Sequence, residues 1–378
     1  MKGPLFYAKI LLFGEYGIIK DSKGLSIPYN AAMGALIIPK NSEEGNPSSN
    51  SSLAGFAVHL ADLQSKNPEL FSFDLKQLKA DISNGLYFDS TIPQGYGIGS
   101  SGALVAAIYD NYAQHKITVL ENLTREKLLQ LKQLFGTMES FFHGKSSGLD
   151  PLNSYLSLPI LIHAQDHIAS TAIPSQHTAG KGAVFLLDSG QVGETAPMVQ
   201  LFMEQMKQEG FRNMLKDQFI KHTDACVDDF LKGDIKSLFE NTKQLSKVVL
   251  NHFKPMIPNK YHSLWQKGID NDSYFLKLCG SGGGGYILGF TKNIEGVAKK
   301  TKDAAKSLDV WGEGSEIFNK LQESISPISG AVLKLGKALG TAFATGIAGA
   351  KALKVALIAT GIGALLVALG GILSLWEE

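Results

Sequence analysis

The pattern of apolar and polar residues predicts a chain that mixes strands and helices. Short apolar runs within residues 1–40, separated by glycine and proline, predict strands, and an apolar run at 183–188 predicts a buried strand. The tract 41–52 is rich in Ser, Asn, Glu, Gly and Pro and predicts a mobile loop. Helical spacing of apolar residues recurs in four stretches, 53–64, 103–114, 124–142 and 197–250. The expected fold class is therefore α+β.

Composition narrows the function classes. A length of 378 residues predicts two domains with a site in the cleft between them. The formal net charge of +1 argues against a protein that binds nucleic acid through its charge. Cys226 and Cys279 are the two cysteines, too few for a disulfide framework and typical of a reducing cytoplasm.

Residues 312–378 differ in composition from the rest of the chain and are dominated by Gly, Ala, Leu and Lys. The run 355–376 is uncharged and long enough to span a bilayer, and Trp376 stands where interfacial aromatic residues are found. We expect a membrane-seeking or membrane-spanning helix here, which would hold an otherwise cytoplasmic protein at a membrane. A fusion of unrelated reading frames and a helical hairpin are the alternatives. The stretch 352–376 also resembles the hydrophobic segment of phage tail tape-measure proteins.

The most informative motif is the first glycine loop, residues 92–103, with the sequence Ile-Pro-Gln-Gly-Tyr-Gly-Ile-Gly-Ser-Ser-Gly-Ala. Glycine lets the backbone approach a phosphate, and unpaired N–H groups at a helix N-terminus favour an anion. The loop contains a GxGxxG string, but Asp110 comes too early for the acidic residue of a dinucleotide-binding motif. A Walker A ending is absent, and so are the HRD and DFG strings of protein kinases. A glycine-rich turn without a ligand is the remaining alternative.

Three other segments carry polar residues beside apolar runs. Lys9 and Glu15 flank an apolar run in Tyr-Ala-Lys-Ile-Leu-Leu-Phe-Gly-Glu-Tyr. Glu139 lies on a predicted helix, and Asp150 follows a Ser-Ser-Gly turn. Residues 277–286, Lys-Leu-Cys-Gly-Ser-Gly-Gly-Gly-Gly-Tyr, contain a second glycine loop between two apolar strands. Each residue or loop also has an alternative interpretation without a function. Lys9 is typical of a lysine on a strand, and Glu139 of a solvated helix face. Asp150 is typical of a turn before proline, and the second glycine loop of a hairpin connection.

In order, spacing and identity, the four motifs resemble those of the GHMP kinases, over roughly the first 300 residues. The resemblance implies a two-domain GHMP kinase fold, with a ribosomal protein S5 domain 2-like N-terminal domain and a ferredoxin-like C-terminal domain. It implies a boundary near residue 155, between an ATP-binding domain of residues 1–155 and a second domain of residues 156–311. It also implies ATP and Mg²⁺ as cofactors.

The resemblance further implies roles for individual residues. Asp150 would orient or deprotonate the acceptor hydroxyl, and Lys9 would stabilise charge beside it. Ser101 and Glu139 would be magnesium ligands, while Glu15, Tyr16 and Asp150 would contact the acceptor. The residues that would bind ATP lie in the two glycine loops: Pro93, Gly95, Gly97, Gly99, Ser100, Ser101, Gly102, Gly280, Ser281, Gly282 and Gly283.

Within the superfamily, residues 9–16 and 277–285 resemble the bacterial mevalonate kinase branch most. Galactokinases carry a His-Thr-Asp run after the Gly-Glu pair, where this chain has Tyr16-Gly-Ile-Ile. Mevalonate kinases usually have histidine where this chain has Tyr16, a departure that bears on acceptor recognition. We expect mevalonate as the acceptor, with phosphomevalonate or another small hydroxy acid as the alternative, and a homodimer. A non-catalytic nucleotide-binding module, anchored at a membrane by its tail, is the alternative from a different class.

Overall fold

The computed structural model describes residues 4–39, 46–118, 123–164, 167–173, 182–294 and 297. We call the part up to residue 173 the N-lobe and the part from residue 182 the C-lobe; each contains one antiparallel sheet. The predicted tail 312–378, including the run 355–376, lies outside the described residues. Within those residues, no helix has both the length and the apolar character needed to cross a membrane.

The N-lobe sheet has five strands in the order β1-β2-β4-β5, with β3 pairing to the far end of β2. Their bounds are Phe6–Phe13 (β1), Gly24–Ile37 (β2), Tyr87–Ser90 (β3), Ile160–Ala164 (β4) and His167–Ser170 (β5). The sequence predicts only short strands before residue 40, but β2 is 14 residues long and continues through Pro28. Pro28 lies beyond the residues that pair with β4, and a proline is tolerated where one edge of a strand is unpaired.

The helices described in this lobe are α1 (Pro47–Lys66), α2 (Leu75–Ser83), α3 (Ser100–Tyr112), α4 (Arg125–His143) and α5 (Leu149–Leu156), of which α1, α3, α4 and α5 contact the sheet. Helix α3 lies in the centre of the lobe, between β1, α4 and α5. Its small residues Ala103, Ala106 and Ala107 are fully buried, and their size lets neighbouring backbones approach closely. The predicted helices at 103–114 and 124–142 are confirmed within a few residues.

The prediction of a loop over the whole of 41–52 is wrong for residues 47–52, which form the first turns of α1. The Asn46 side chain accepts a hydrogen bond from the Ser49 N–H at 3.0 Å, and Pro47 occupies the first helical position. Asparagine before a helix and proline at its first position are strong start signals. They outweigh the polar composition of the tract.

The domain boundary implied near residue 155 falls inside α5 and ahead of two strands of the N-lobe sheet. Strand β4 pairs with β2 at Gly24–Ser26, and β5 pairs with β4. Both strands therefore belong to the N-lobe sheet, and the boundary near residue 155 stays a prediction.

The C-lobe sheet has the order β6-β8-β7 and is packed against helices. Its strands are β6 (Ala183–Asp188), β7 (Phe275–Leu278) and β8 (Tyr286–Thr291), and its helices are α6 (Thr195–Gln205), α7 (Glu209–Met214), α8 (Lys221–Lys232), α9 (Ile235–His252) and α10 (His262–Asp270), with a π-helical turn at Leu215–Ile220. The predicted strand at 183–188 and the strands around the second glycine loop are confirmed.

Stacked rings of Phe13 and Phe290, with centroids 5.3 Å apart, join the two lobes. Cys226 and Cys279 are buried and free.

Candidate active site

The first glycine loop connects β3 to α3 and ends in the first turn of that helix. Gly95, Gly97 and Gly99 have φ angles of +75°, +77° and +80°, a region in which other residues are strained. Pro93 precedes these glycines, and Ser100 and Ser101 form the first helical turn. The backbone N–H groups of this turn have no partners within the helix. The loop therefore presents glycines, hydroxyls and amide donors together at a helix N-terminus.

Helices α3 and α5 approach each other closely because Gly102 has no side chain. A Cβ atom at Gly102 would lie 2.7 Å from the Asp150 carbonyl carbon and 2.7 Å from the Pro151 nitrogen. Asp150 is in the first turn of α5, so this approach brings its carboxylate to the end of the first glycine loop. A Cβ atom at Gly99 would lie 3.5 Å from Asp150 Oδ2.

Lys9, in the middle of β1, forms an ion pair with Asp150, with 3.0 Å between Nζ and Oδ1. The Lys9 side chain is 6% exposed and that of Asp150 is 34% exposed. Burial lowers the pKa of Lys9, but the charge and hydrogen bond of Asp150 outweigh burial and raise that pKa above its usual value. Lys9 is therefore a fixed cation beside a carboxylate that remains open to a ligand.

Glu139, on α4, is 3% exposed and accepts hydrogen bonds from two hydroxyls. Ser101 Oγ donates to Glu139 Oε1 at 2.8 Å, and Ser146 Oγ donates to Oε2. Burial and the nearby charge of Asp150 raise the pKa of Glu139 to about 7, although both serine hydroxyls oppose the shift. The two serine hydroxyls thus fix the orientation of the carboxylate, but the surrounding groups do not fully neutralise its negative charge.

The second glycine loop, residues 280–285, packs backbone to backbone against the first. A Cβ atom at Gly97 would lie 2.2 Å from the Cys279 carbonyl oxygen, and one at Gly280 would lie 2.9 Å from the Gly97 Cα. The Tyr286 N–H donates to the Tyr96 carbonyl at 3.3 Å. Only glycine permits this approach, so the two loops form one continuous backbone surface.

The rest of the second loop is held by the C-lobe. The Gly283 N–H donates to the Met256 carbonyl at 2.7 Å, and the Gln191 amide donates to the Gly283 carbonyl at 2.9 Å. A Cβ atom at Gly282 would lie 2.6 Å from that same Met256 oxygen. The φ angles of Gly280, Gly282 and Gly283 are +77°, +79° and +77°.

Glu15 and Tyr16, expected to contact an acceptor, bind groups of the C-lobe. Glu15 Oε1 accepts a hydrogen bond from Lys277 Nζ at 2.6 Å, and both residues are buried. The Tyr16 hydroxyl donates to the Ser281 carbonyl at 2.6 Å. The predicted site residues therefore form two groups, one around Asp150 and one that joins the N-lobe to the second glycine loop.

Sequence reasoning assigned no role to Lys277 or Ser146. Lys277 precedes the second glycine loop within an apolar strand, and a buried lysine needs an anionic partner. Ser146 lies in the Ser-Ser-Gly turn before Asp150 and orients Glu139. Serine is common in turns for other reasons, so its position alone carries no such signal.

Ser101 and Glu139 fit a magnesium ion by the chemistry of their donors. Mg²⁺ prefers hard oxygen ligands and usually takes few of them from the protein. The raised pKa of Glu139 means that a cation nearby would be favourable. Among the described residues, no three His, Cys, Asp or Glu side chains are grouped to hold a metal. Phosphate oxygens and water would have to complete the ligand set.

A family comparison identifies the segment that carries most of this geometry. Residues 61–157 match the family described as GHMP kinases N terminal domain. These residues are therefore similar to the N-terminal domain of the GHMP kinases. This segment includes the first glycine loop, Glu139 and Asp150, while Lys9, Glu15 and the second glycine loop lie outside it. No curated protein matches the sequence.

Solved structures show that the fold extends beyond this segment. The mevalonate kinase of L. major in complex with R-mevalonate has 18% sequence identity and a TM-score of 0.52, covering 81% of this chain and 92% of that one. The phosphomevalonate kinase of Streptococcus pneumoniae in complex with phosphomevalonate and AMPPNP has 14% identity and a TM-score of 0.53, covering 81% and 96%. The galactose-bound galactokinase of Lactococcus lactis has 12% identity and a TM-score of 0.50, covering 78% and 86%. The GHMP kinase fold predicted from the four motifs is confirmed.

Proposed function

We propose that this protein is an ATP-dependent kinase that transfers the γ-phosphoryl group to a hydroxyl of a small acceptor, with mevalonate as the first candidate. The observation that carries the proposal is the Lys9–Asp150 ion pair at the mouth of the first glycine loop. Phosphoryl transfer needs little covalent work from a protein, since positioning and charge neutralisation supply most of the catalysis. The residues around Asp150 have the chemistry for both tasks.

The nucleotide phosphates bind at the first glycine loop. Its glycines expose backbone amides, and the N-terminus of α3 adds the positive end of the helix dipole. Ser100 adds a hydroxyl in the first turn, while the Ser101 hydroxyl donates to Glu139. The second glycine loop packs against the first through the contact of Gly97 with Cys279, so it borders the phosphate site on the C-lobe side.

Ser101 and Glu139 would hold the magnesium ion that accompanies the nucleotide. When bound, this ion supplies positive charge that neutralises the phosphate oxygens. Ser146 keeps the Glu139 carboxylate in one orientation through its hydrogen bond. Residues that orient a ligand in this way support metal affinity without contacting the ion.

Asp150 orients the acceptor hydroxyl and accepts its proton, because its side chain is still 34% exposed while its backbone is fixed against Gly102. Lys9 keeps positive charge next to the reacting oxygens, and its raised pKa ensures that it stays protonated at neutral pH. The pair thus combines a base and a charge stabiliser within hydrogen-bond distance.

The acceptor is the finer part of the proposal. Mevalonate is supported by the likeness of residues 9–16 and 277–285 to mevalonate kinases, and by a GHMP fold shared with an R-mevalonate complex. Phosphomevalonate is the second candidate, since a phosphomevalonate kinase shares the fold at a similar TM-score. Tyr16 departs from the usual histidine, but its hydroxyl is bonded to the Ser281 carbonyl.

The deciding experiment measures ATP consumption by the full chain with Mg²⁺ and mevalonate, phosphomevalonate or galactose in parallel. We expect turnover with mevalonate, and Asp150→Asn should abolish it while leaving nucleotide binding intact. Loss of nucleotide binding in Asp150→Asn would mean that Asp150 is structural. Nucleotide binding without turnover of any acceptor would contradict the kinase proposal and favour a non-catalytic binding module.

A further inference from the structure

We propose that Glu15 and Tyr16 are positioning residues, which hold the second glycine loop against the first through Lys277 and Ser281. This inference rests on the proposed function only in giving the two loops a nucleotide to bind. The four residues bridge the N-lobe and the C-lobe at the point where the glycine loops meet. We call them the loop latch.

The first half of the latch is a buried ion pair. Glu15 and Lys277 are 7% and 3% exposed, and Lys277 Nζ lies 2.6 Å from Glu15 Oε1. The same ammonium group donates to the Leu278 carbonyl at 2.8 Å and to the Leu11 carbonyl at 3.4 Å. A buried charge is tolerated only when its partners are fixed. Lys277 is therefore tied both to β1 and to the last residue of β7, which leads into the second loop.

The second half of the latch is a strained tyrosine. Tyr16 has a φ of +58°, a left-handed conformation that is unfavourable for a bulky side chain. Its hydroxyl donates to the Ser281 carbonyl at 2.6 Å. Its ring packs against Phe202 and Phe253, at centroid distances of 4.7 Å and 5.8 Å. Such strain persists only where surrounding contacts fix it, and it is concentrated at functional sites.

The latch acts on the contact between the glycine loops. Lys277 and Ser281 stand on either side of the segment 278–280, whose Cys279 carbonyl would lie 2.2 Å from a Cβ at Gly97. Because the loops touch backbone to backbone, any shift of this segment moves the surface that backs the first glycine loop. Residues 15 and 16 therefore set the distance between the two loops.

Glu15 and Tyr16 position the second glycine loop and do not contact the acceptor directly. The Glu15 carboxylate is paired with Lys277, and the Tyr16 hydroxyl is committed to a backbone carbonyl. Both side chains are buried. They act through the second glycine loop, whereas Asp150 keeps an exposed face for the acceptor.

The test uses Tyr16→Phe, Glu15→Gln and a control, Lys23→Met, in the full chain. Tyr16→Phe removes one hydroxyl and keeps the ring, so it serves even where Glu15→Gln fails to fold. Lys23 also joins the lobes, through Asp228 on α8 at 2.6 Å, and its partners Asp224 and Asp228 lie outside the glycine loops. Hydrogen exchange of amides 280–285 is measured without nucleotide, followed by nucleotide dissociation constants, KM for ATP and kcat.

We expect Tyr16→Phe to speed exchange at residues 280–285 and to raise KM for ATP about three- to tenfold, as the loss of one buried hydrogen bond implies. Lys23→Met should leave both quantities unchanged. Unchanged exchange in Tyr16→Phe, or equal acceleration in Lys23→Met, would overturn the latch. A loss of turnover with unchanged loop exchange and nucleotide binding would also overturn it, by indicating direct acceptor contact. Hydrogen exchange needs no substrate. If the unaltered protein shows no turnover, the kinase proposal fails, but the exchange of residues 280–285 still decides whether the latch exists.

Discussion

Lys9 Nζ lies 3.0 Å from Asp150 Oδ1, although the two residues belong to the first strand and the fifth helix of the N-lobe. A Cβ atom at position 102 would lie 2.7 Å from the Asp150 carbonyl carbon, so a side chain there would displace Asp150 from its place beside Lys9. The ion pair therefore depends on a glycine that takes no part in the chemistry.

Replacing Lys9 by methionine keeps much of the buried apolar stem and removes the charge. We expect kcat to fall about 100- to 1,000-fold, the usual effect of losing one preorganised electrostatic group. Nucleotide affinity should change much less, because the amides of the first glycine loop remain. Steady-state kinetics with direct nucleotide titration separate the two effects. Equal losses in nucleotide affinity and kcat/KM would instead make Lys9 a phosphate-binding residue.

The same pair predicts a pH dependence of stability at the alkaline end. The pKa of Lys9 is raised above 10.5 in the folded state, so the folded protein holds this proton more tightly than the unfolded chain. The resulting stabilisation is complete below pH 10.5 and is lost as the pH rises through the folded-state pKa. Urea unfolding of the unaltered protein and Lys9→Met between pH 8 and pH 12 measures this difference.

We subtract the free energy of unfolding of Lys9→Met from that of the unaltered protein. This difference should be constant up to about pH 10 and should then decline as the pH rises further. The test is the slope of this difference against pH, because the methionine also changes packing and so shifts the difference by the same amount at every pH. A difference that stays constant through pH 12 would show that the ion pair adds no proton linkage. The substitution leaves every tyrosine in place, so the proton linkage of the tyrosines is common to both proteins and cancels in the comparison.

Much of the site could be predicted because its residues lie in short, continuous motifs. Ser101 and Gly102 follow the glycine string directly, and Asp150 stands a fixed distance after Glu139. Local patterns of this kind are visible in one sequence. The ends of helices are visible as well, and the Asn46–Pro47 pair signals the start of α1 despite the polar residues around it.

The partners of Glu15 and Tyr16 could not be predicted from the sequence. Lys277 is 262 positions from Glu15, and Ser281 is 265 positions from Tyr16. No periodicity relates residues so far apart, since their contact depends on how the lobes pack. For the same reason the pairing of β4 with β2 could not be predicted from the sequence.

Removing the Ser101 hydroxyl should raise the Mg²⁺ requirement. We expect Ser101→Ala to increase the Mg²⁺ concentration for half-maximal rate at least tenfold, the lower end of the range for loss of groups supporting a metal site. Ser147→Ala is the matched control, because Ser147 Oγ accepts from the Leu149 N–H at 3.3 Å and does not bond to Glu139. Equal Mg²⁺ dependence in both variants would remove Ser101 from the metal site.

The contact between the glycine loops makes a prediction about Gly97. Alanine there must adopt a φ of +77° and place its Cβ 2.2 Å from the Cys279 carbonyl oxygen. Left-handed strain costs roughly 1–2 kcal/mol and overpacking roughly 1–3 kcal/mol, so we expect Gly97→Ala to destabilise the fold by about 2–5 kcal/mol. Nucleotide binding should weaken in the same variant, because the two loops are forced apart. Chemical unfolding and nucleotide titration measure the two effects.

Gly144→Ala separates strain from steric contact. Gly144 has a similar φ of +74°, but nothing lies within 4 Å of the position its Cβ would take. It should therefore lose only the strain component, about 1–2 kcal/mol, and keep its nucleotide affinity. If both alanine variants lose stability and affinity equally, the close packing of the loops contributes nothing beyond backbone conformation. A larger loss in Gly97→Ala alone would instead show that a side chain at this position of the first glycine loop costs more than backbone strain.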